Sequence, residues 1–151
     1  MEPLSSQPLI ETLRMVVPAS AAGADDSAII GAMPFDGEVT AVRLITKTGI
    51  TGAATNHRAV ALVNKGAAGS GTTSLAALAF DAATVTTTAL VPKVIPLSTS
   101  PAANEYGVYE QRRVSEGDVL VWTSTHVGTG IADPGGTIEI DLARVSNAEY
   151  L

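Results

Sequence analysis

The sequence predicts an all-β protein, either two sheets packed as a sandwich or one sheet closed as a barrel, and three observations predict it. About eight short runs rich in valine, isoleucine and threonine are separated by turn signals bearing glycine, proline, asparagine or aspartate. The run Thr137–Leu142 alternates, with Ile138, Ile140 and Leu142 on one face and Thr137, Glu139 and Asp141 on the other. No segment carries a helical period long enough to stand. The most helix-like, Ser74–Phe80, has alanines and leucines but only seven residues, which is marginal for a helix, so it reads as a strand.

The elements follow in order. Residues 1–9, MEPLSSQPL, hold two prolines and two serines. Proline fixes φ and cannot donate to a ladder, so this is an extended arm outside the sheets. Its residues Pro3, Leu4, Ser5, Ser6, Gln7, Pro8 and Leu9 are candidate contacts with a neighbouring subunit. Thr12–Pro18 alternates Leu13, Met15 and Val17 against Thr12, Arg14 and Val16 and makes a first strand. Ser20–Ser27 is a turn by composition, Ala28–Met33 a short apolar run, and Pro34–Gly37 a second turn. Glu38–Thr48 is a long strand, with Val42 and Leu44 on one face and Val39, Ala41 and Ile45 on the other.

Ile50–His57 is a loop, Arg58–Val63 a strand, and Asn64–Thr73 is too rich in glycine for a regular element. Thr84–Leu97 is β-branched, but Pro92 and Pro96 cut it into edge-type pieces. Ser98–Gly107 is a loop, and Val108–Arg113 leads into the tight turn Ser115–Asp118. Val119–Trp122 is apolar on both faces, so it should be covered on both sides, by core or by a subunit contact. Trp122 is accordingly a candidate for either place. Gly128–Gly136 is the loop before the closing strand. The domain division is an arm over 1–9, one β domain over 10–146 and a tail over 147–151, with no linker between cores.

Composition narrows the function. The 151 residues make one domain that can bury about 70% of the surface of the unfolded chain. Nine basic against fifteen acidic residues give a net charge of −6, and Arg112–Arg113 is the largest basic cluster, which argues against nucleic acid as a partner. The absence of cysteine excludes disulfides and thiolate chemistry. The N-terminus has neither the basic nor the apolar region of a signal peptide, and no apolar run approaches the ~18 residues of a membrane span, so synthesis in the cytosol and no membrane partner are expected.

Candidate chemistry is sparse. His57 and His126 sit in no metal-binding or catalytic motif. Ser124 stands near His126 without a G-x-S-x-G elbow. The stretch Gly69–Ser74 lacks the GK[ST] ending of a phosphate loop, and Gly128–Gly136 is better read as turns than as a dinucleotide fingerprint. Asp25, Asp26, Asp36, Asp81 and Asp133 lie in turns without a calcium-loop pattern. No catalytic, cofactor-binding or metal-ligating residue is assigned.

The run from Glu38 to Val145 resembles a family of small virion proteins of tailed bacteriophages. The residues that carry the resemblance are VTAVRLIT, the loop ITGAATNHR, the strand AVALVN and GAAGSGTTSLAAL. After the proline-broken segment ending VIPLS come V-x-x-GD-V-L-V-W from Val114 to Trp122, the VGTG loop and the last strand. The resemblance implies an antiparallel, single-domain, jelly-roll-like β-sandwich of about eight strands with an extended N-terminal arm. It further implies a capsid decoration (cement) protein or head-fibre base, a homotrimer on the outside of an icosahedral head. The partner would be the major capsid protein, the location the virion surface after synthesis in the host cytoplasm. Neither enzymatic activity nor a cofactor is implied. The alternative is a receptor- or carbohydrate-binding module of a phage head fibre or tail, for which Tyr106 and Tyr109 are the candidate sugar platform.

Overall fold

The computed structural model describes residues 9–145 except 101, 106 and 108, so all of the 1–9 arm but Leu9, together with Ser146 and the tail over 147–151, lies outside the described residues. Nine strands are described: β1 (Ile10–Val17), β2 (Asp26–Ala32), β3 (Gly37–Thr46), β4 (His57–Asn64), β5 (Thr73–Ala79), β6 (Lys93–Val94), β7 (Arg113–Val114), β8 (Val119–Val127) and β9 (Gly136–Arg144). The pairs β1–β9, β2–β8, β3–β6 and β4–β5 are all antiparallel. These are four nested rungs of one long hairpin. Rolling that hairpin up brings β9 beside β3 and β8 beside β4, giving the sheets β1-β9-β3-β6 and β2-β8-β4-β5. That order is a jelly roll, and the two-sheet sandwich holds over the barrel. The short β7 pairs with the first residues of β3.

The inner faces supply the core. Ile138, Ile140 and Leu142 from β9 and Val42 and Leu44 from β3 meet Val60 and Leu62 from β4 and Leu120 and Trp122 from β8. Leu75, Phe80 and Ile95 close the flank beside β5 and β6. The alternation expected for Thr137–Leu142 is therefore the one observed, and Ser74–Phe80 is strand up to Ala79. Pro92 and Pro96 reduce the 84–97 segment to the two residues of β6 and isolated bridges at Thr86 and Leu97. The one helical element among the described residues is the 3-10 turn Glu110–Arg112.

Three expectations are corrected. Val39 faces inward together with Val42, because the register with β9 shifts between Val39 and Ala41 and resets the parity. Such a bulge inserts one unpaired residue, here Thr40, which faces solvent. β2 starts at Asp26, inside the stretch expected to be a turn. The apolar run in β8 is covered on one face only: Leu120 and Trp122 are buried, whereas Val119 and Val121 on the outer face are half-buried.

Gly136 sits in β9 between Val17 of β1 and Thr46 of β3. A Cβ there would overlap the Ile45 carbonyl oxygen, so this position admits only glycine without moving a strand. Ile140→Ala is expected to lower the unfolding free energy by about 2–5 kcal/mol through the cavity it leaves. Gly136→Ala should cost about 1–3 kcal/mol through overpacking, both read from urea denaturation.

Candidate functional site

The two sheets bury similar inner faces but carry unlike outer faces. On β1-β9-β3-β6 the outward side chains form a charged belt. The Arg43 guanidinium donates to both Asp141 oxygens at 2.8 and 2.9 Å, and the Thr12 hydroxyl donates to Asp141 at 2.8 Å. Arg14 Nε donates to Glu139 at 2.8 Å. The Arg43 hydrogen bonds hold the Asp141 carboxyl below its usual range, against a smaller opposing effect of burial.

One end of this same outer face is apolar. Val16, Thr137 and Ile45 stand side by side across β1, β9 and β3, and Leu90 continues the row. Together with Lys47 and Gly136 they line a shallow groove of about 190 Å³. Leu90 is 75% exposed and holds φ at +62°, a left-handed conformation that costs a residue with a Cβ about 1 kcal/mol or more. Its N–H is fixed by the Thr46 carbonyl at 2.9 Å. Val91 and Val94 beside it are exposed as well.

The outer face of β2-β8-β4-β5 carries no Asp, Glu, Lys or Arg among its outward positions. The central strands present Val121, Thr123 and Thr125 from β8 and Ala59, Ala61 and Val63 from β4. Ser27 and Ile29 flank them on β2, Ala77 and Ala79 on β5. His57 is the one titratable side chain on this face, with its ring Nδ1 buried and unpartnered.

A polar cluster closes one end of the sandwich. Arg58 alternates onto the inner face with Val60 and Leu62 and is fully buried. Its Nε donates to the Ile131 carbonyl at 3.0 Å, Nη1 to the Ser124 hydroxyl at 3.0 Å, and Nη2 to the Ala21 and Ala24 carbonyls at 3.2 and 3.1 Å. Ser124 in turn donates to Asp133 at 2.8 Å, and Asp133 accepts the Gly135 N–H. The Asp26 side chain, 10% exposed, lies 4.0 Å from Arg58 without a hydrogen bond. Burial pushes its carboxyl above the ordinary value, and the nearby Asp133 charge adds to this. Asp25 is held low instead, chiefly by the His126 backbone N–H at 2.8 Å and then by the His126 ring at 2.7 Å.

The sequence candidates distribute as follows. Pro3, Leu4, Ser5, Ser6, Gln7 and Pro8 lie outside the described residues, and Leu9 is exposed with its carbonyl accepting the Arg144 N–H. Trp122 is 1% exposed and belongs to the core, which removes it from the contact residues. Ser124 is engaged with Arg58 and Asp133, and His126 with Asp25, so the two are not arranged as nucleophile and base. Tyr106 lies outside the described residues, and the Tyr109 ring carries the Arg112 guanidinium 3.8 Å from its centroid, which occupies a face a sugar would need. Among the described residues no three His, Asp or Glu side chains gather so as to hold a metal ion. Sequence reasoning missed Arg58, although its inward parity with Val60 and Leu62 was a readable signal. Compared with family models, with curated proteins and with solved structures, the chain matches none.

Two substitutions test the cluster. Arg58→Ala leaves Asp26 and Asp133 without their counter-charge and three loop carbonyls without a donor, and should cost about 3–5 kcal/mol in chemical denaturation. For Asp26 the folded pKa lies above the unfolded one, so folding takes up a proton. Its stabilising contribution is complete below about pH 3.8 and is lost as pH rises through the folded value. Asp26→Asn should therefore raise Tm at pH 7, and the gain should vanish at pH 3. Asp141→Asn should do the reverse, lowering Tm at pH 7, with the loss shrinking only as pH falls below about 3.8 and through the folded value, because that carboxyl is held low.

Proposed function

We propose that this chain is a structural virion protein, a capsid decoration (cement) protein that binds the outside of an icosahedral phage head as a homotrimer. It would stabilise the head through contacts with the major capsid protein. The sequence resemblance from Glu38 to Val145 supports the reading, and the jelly-roll order of the strands agrees with it. The observation that carries it is the apolar row ending in Leu90. A leucine that is both strained and exposed has two disadvantages in the isolated chain, and contact with a larger protein surface would offset them. Residues 1–9, of which Leu9 is described and exposed, are a second contact in this reading.

The test uses heads of the encoding phage prepared without this protein. Added chain should bind them saturably and raise the temperature at which they rupture. Leu90→Gly removes both the strain and the side chain, so folding stability should stay within about 1 kcal/mol of the parent. Head occupancy should drop at least tenfold at a limiting concentration, and removal of residues 1–8 should lower it too. Unchanged occupancy with Leu90→Gly would show that the row is not a contact, and heads that take up no chain at all would sink the cement reading.

A further inference from the structure

We infer that the free edge of β1 takes an extended segment of another protein as a further strand. An acidic side chain of that segment sits on Arg14 and an apolar one beside Val16. The site is set by edge chemistry, so it stands or falls apart from the capsid reading.

Two open sheets have four edges, and each edge is a row of unpaired N–H and C=O groups unless something blunts it. Three are blunted. β5 is covered by the 96–98 segment, with the Ala77 N–H on the Pro96 carbonyl at 3.1 Å and the Ser98 N–H on the Leu75 carbonyl at 2.8 Å. The β3 side of the other sheet ends in β6 and β7, two residues each, with Pro92 and Pro96 flanking β6. β2 keeps a regular edge only as far as Ile29, where its register with β8 shifts, and Gly31 beyond holds φ at +128°. β1 has none of these devices. Its eight residues keep one unbroken register with β9, and no proline stands between Ile10 and Val17.

The ladder fixes which groups of β1 are free. The Arg144 N–H donates to the Leu9 carbonyl at 2.9 Å, so Leu9 and Arg144 are a hydrogen-bonded pair and the alternation runs on from there. Glu11, Leu13, Met15 and Val17 therefore bond to β9, while the N–H and C=O of Ile10, Thr12, Arg14 and Val16 point away from it. Among the described residues nothing bonds to these groups. They extend along about 27 Å, the length of an eight-residue strand. Backbone bonds give an added strand its affinity, and its alternate side chains decide which segment is accepted.

On the outer face the side chains beside an added strand are Ile10, Thr12, Arg14 and Val16. Arg14 bonds Glu139 through Nε alone, and its side chain is 64% exposed. Its two η nitrogens are thus open to a carboxylate directly across the edge. Val16 is exposed and ends the apolar row that runs through Thr137 and Ile45 to Leu90. An apolar residue two positions from the acid lengthens that row. A second copy of β1 does not fit. Its four outward residues include no acid, because Glu11 alternates to the other face. Antiparallel pairing of β1 with itself sets Arg14 against threonine, an apolar side chain or another arginine in every register.

Amide hydrogen exchange in the full chain reads this edge residue by residue. Without a partner the amides of Ile10, Thr12, Arg14 and Val16 should exchange fast, and those of Leu13, Met15 and Val17 slowly. The capped peptide Val-Thr-Glu-Thr-Thr-Thr-Ile, added at saturation, should slow the four edge amides by about tenfold or more. Lysine in place of its glutamate should weaken binding by about tenfold, and Arg14→Glu should reverse that preference. Thr12→Pro removes an N–H that β9 does not use, so the far-ultraviolet dichroism should stay unchanged while the peptide no longer binds. Edge amides already protected in the isolated chain would overturn the inference, and a two-chain mass in light scattering would then name a second copy as the cover. So would a peptide that leaves the four amides unprotected, or one that binds equally well with lysine. A chain that takes up the peptide yet stays off phage heads would count against the capsid reading and leave this one standing.

Discussion

A strand in a two-layer sandwich can give only one of its faces to the core, and that constraint governs where every other chemistry in this molecule goes. Ile138, Ile140 and Leu142 spend one side of β9 on the core, so Thr137, Glu139 and Asp141 must face out. The bulge at Thr40 shows how firmly the rule is kept. β3 has an apolar residue at the wrong parity, Val39, and the backbone yields by one residue so that it still enters the core. With the interior settled, the outer faces are free to differ, and they do.

The same parity explains the buried arginine. Arg58 follows Val60 and Leu62 inward, yet at the end of β4 the opposing sheet has given way to loops, so its guanidinium meets carbonyls instead of methyl groups. Those carbonyls, of Ala21, Ala24 and Ile131, belong to turns that would leave buried acceptors without a donor. Asp133, held by Ser124 and by mutual backbone bonds with Ser20, balances the charge. A buried ion set of this kind is weak as a source of stability. Its hydrogen bonds tie the 20–26 and 128–136 segments to β4 and β8.

How much of this was legible in the sequence depends on the range of the information. Alternation is local, so β9, β4 and the strand character of Ser74–Phe80 could be read directly, and Pro92 and Pro96 announced the broken 84–97 segment. The parity of Val39 could not be read, because a bulge depends on the register with β9, a strand about a hundred residues away. The doubly apolar Val119–Trp122 run suggested cover on both faces, and only the sheet order shows that among the described residues the core covers one of them. Leu90 carried no signal at all, since nothing in ALVP marks a leucine as left-handed. The free edge of β1 is likewise invisible until the sheet order shows which strands lie outermost.

The uncharged face and the Leu90 row lie on opposite outer faces of the sandwich, and this arrangement has a consequence for attachment. If copies close around an axis through one face, the other face points away from that axis in every copy, so three Leu90 rows are presented at the rim without competing with the contacts that hold the ring. Each row is small, and one leucine with its neighbours could hold a partner only weakly. Three rows on a rigid frame would convert the second and third contacts into intramolecular events, which can raise overall affinity by about 10² or more when the spacing of the rows matches that of the sites they meet. The stiffness of the frame then becomes the quantity that matters. A ring that flexed would lose the match, and within each copy the dense core around Trp122, the glycine-only register at Gly136 and the tethered loops at Arg58 keep the domain itself stiff.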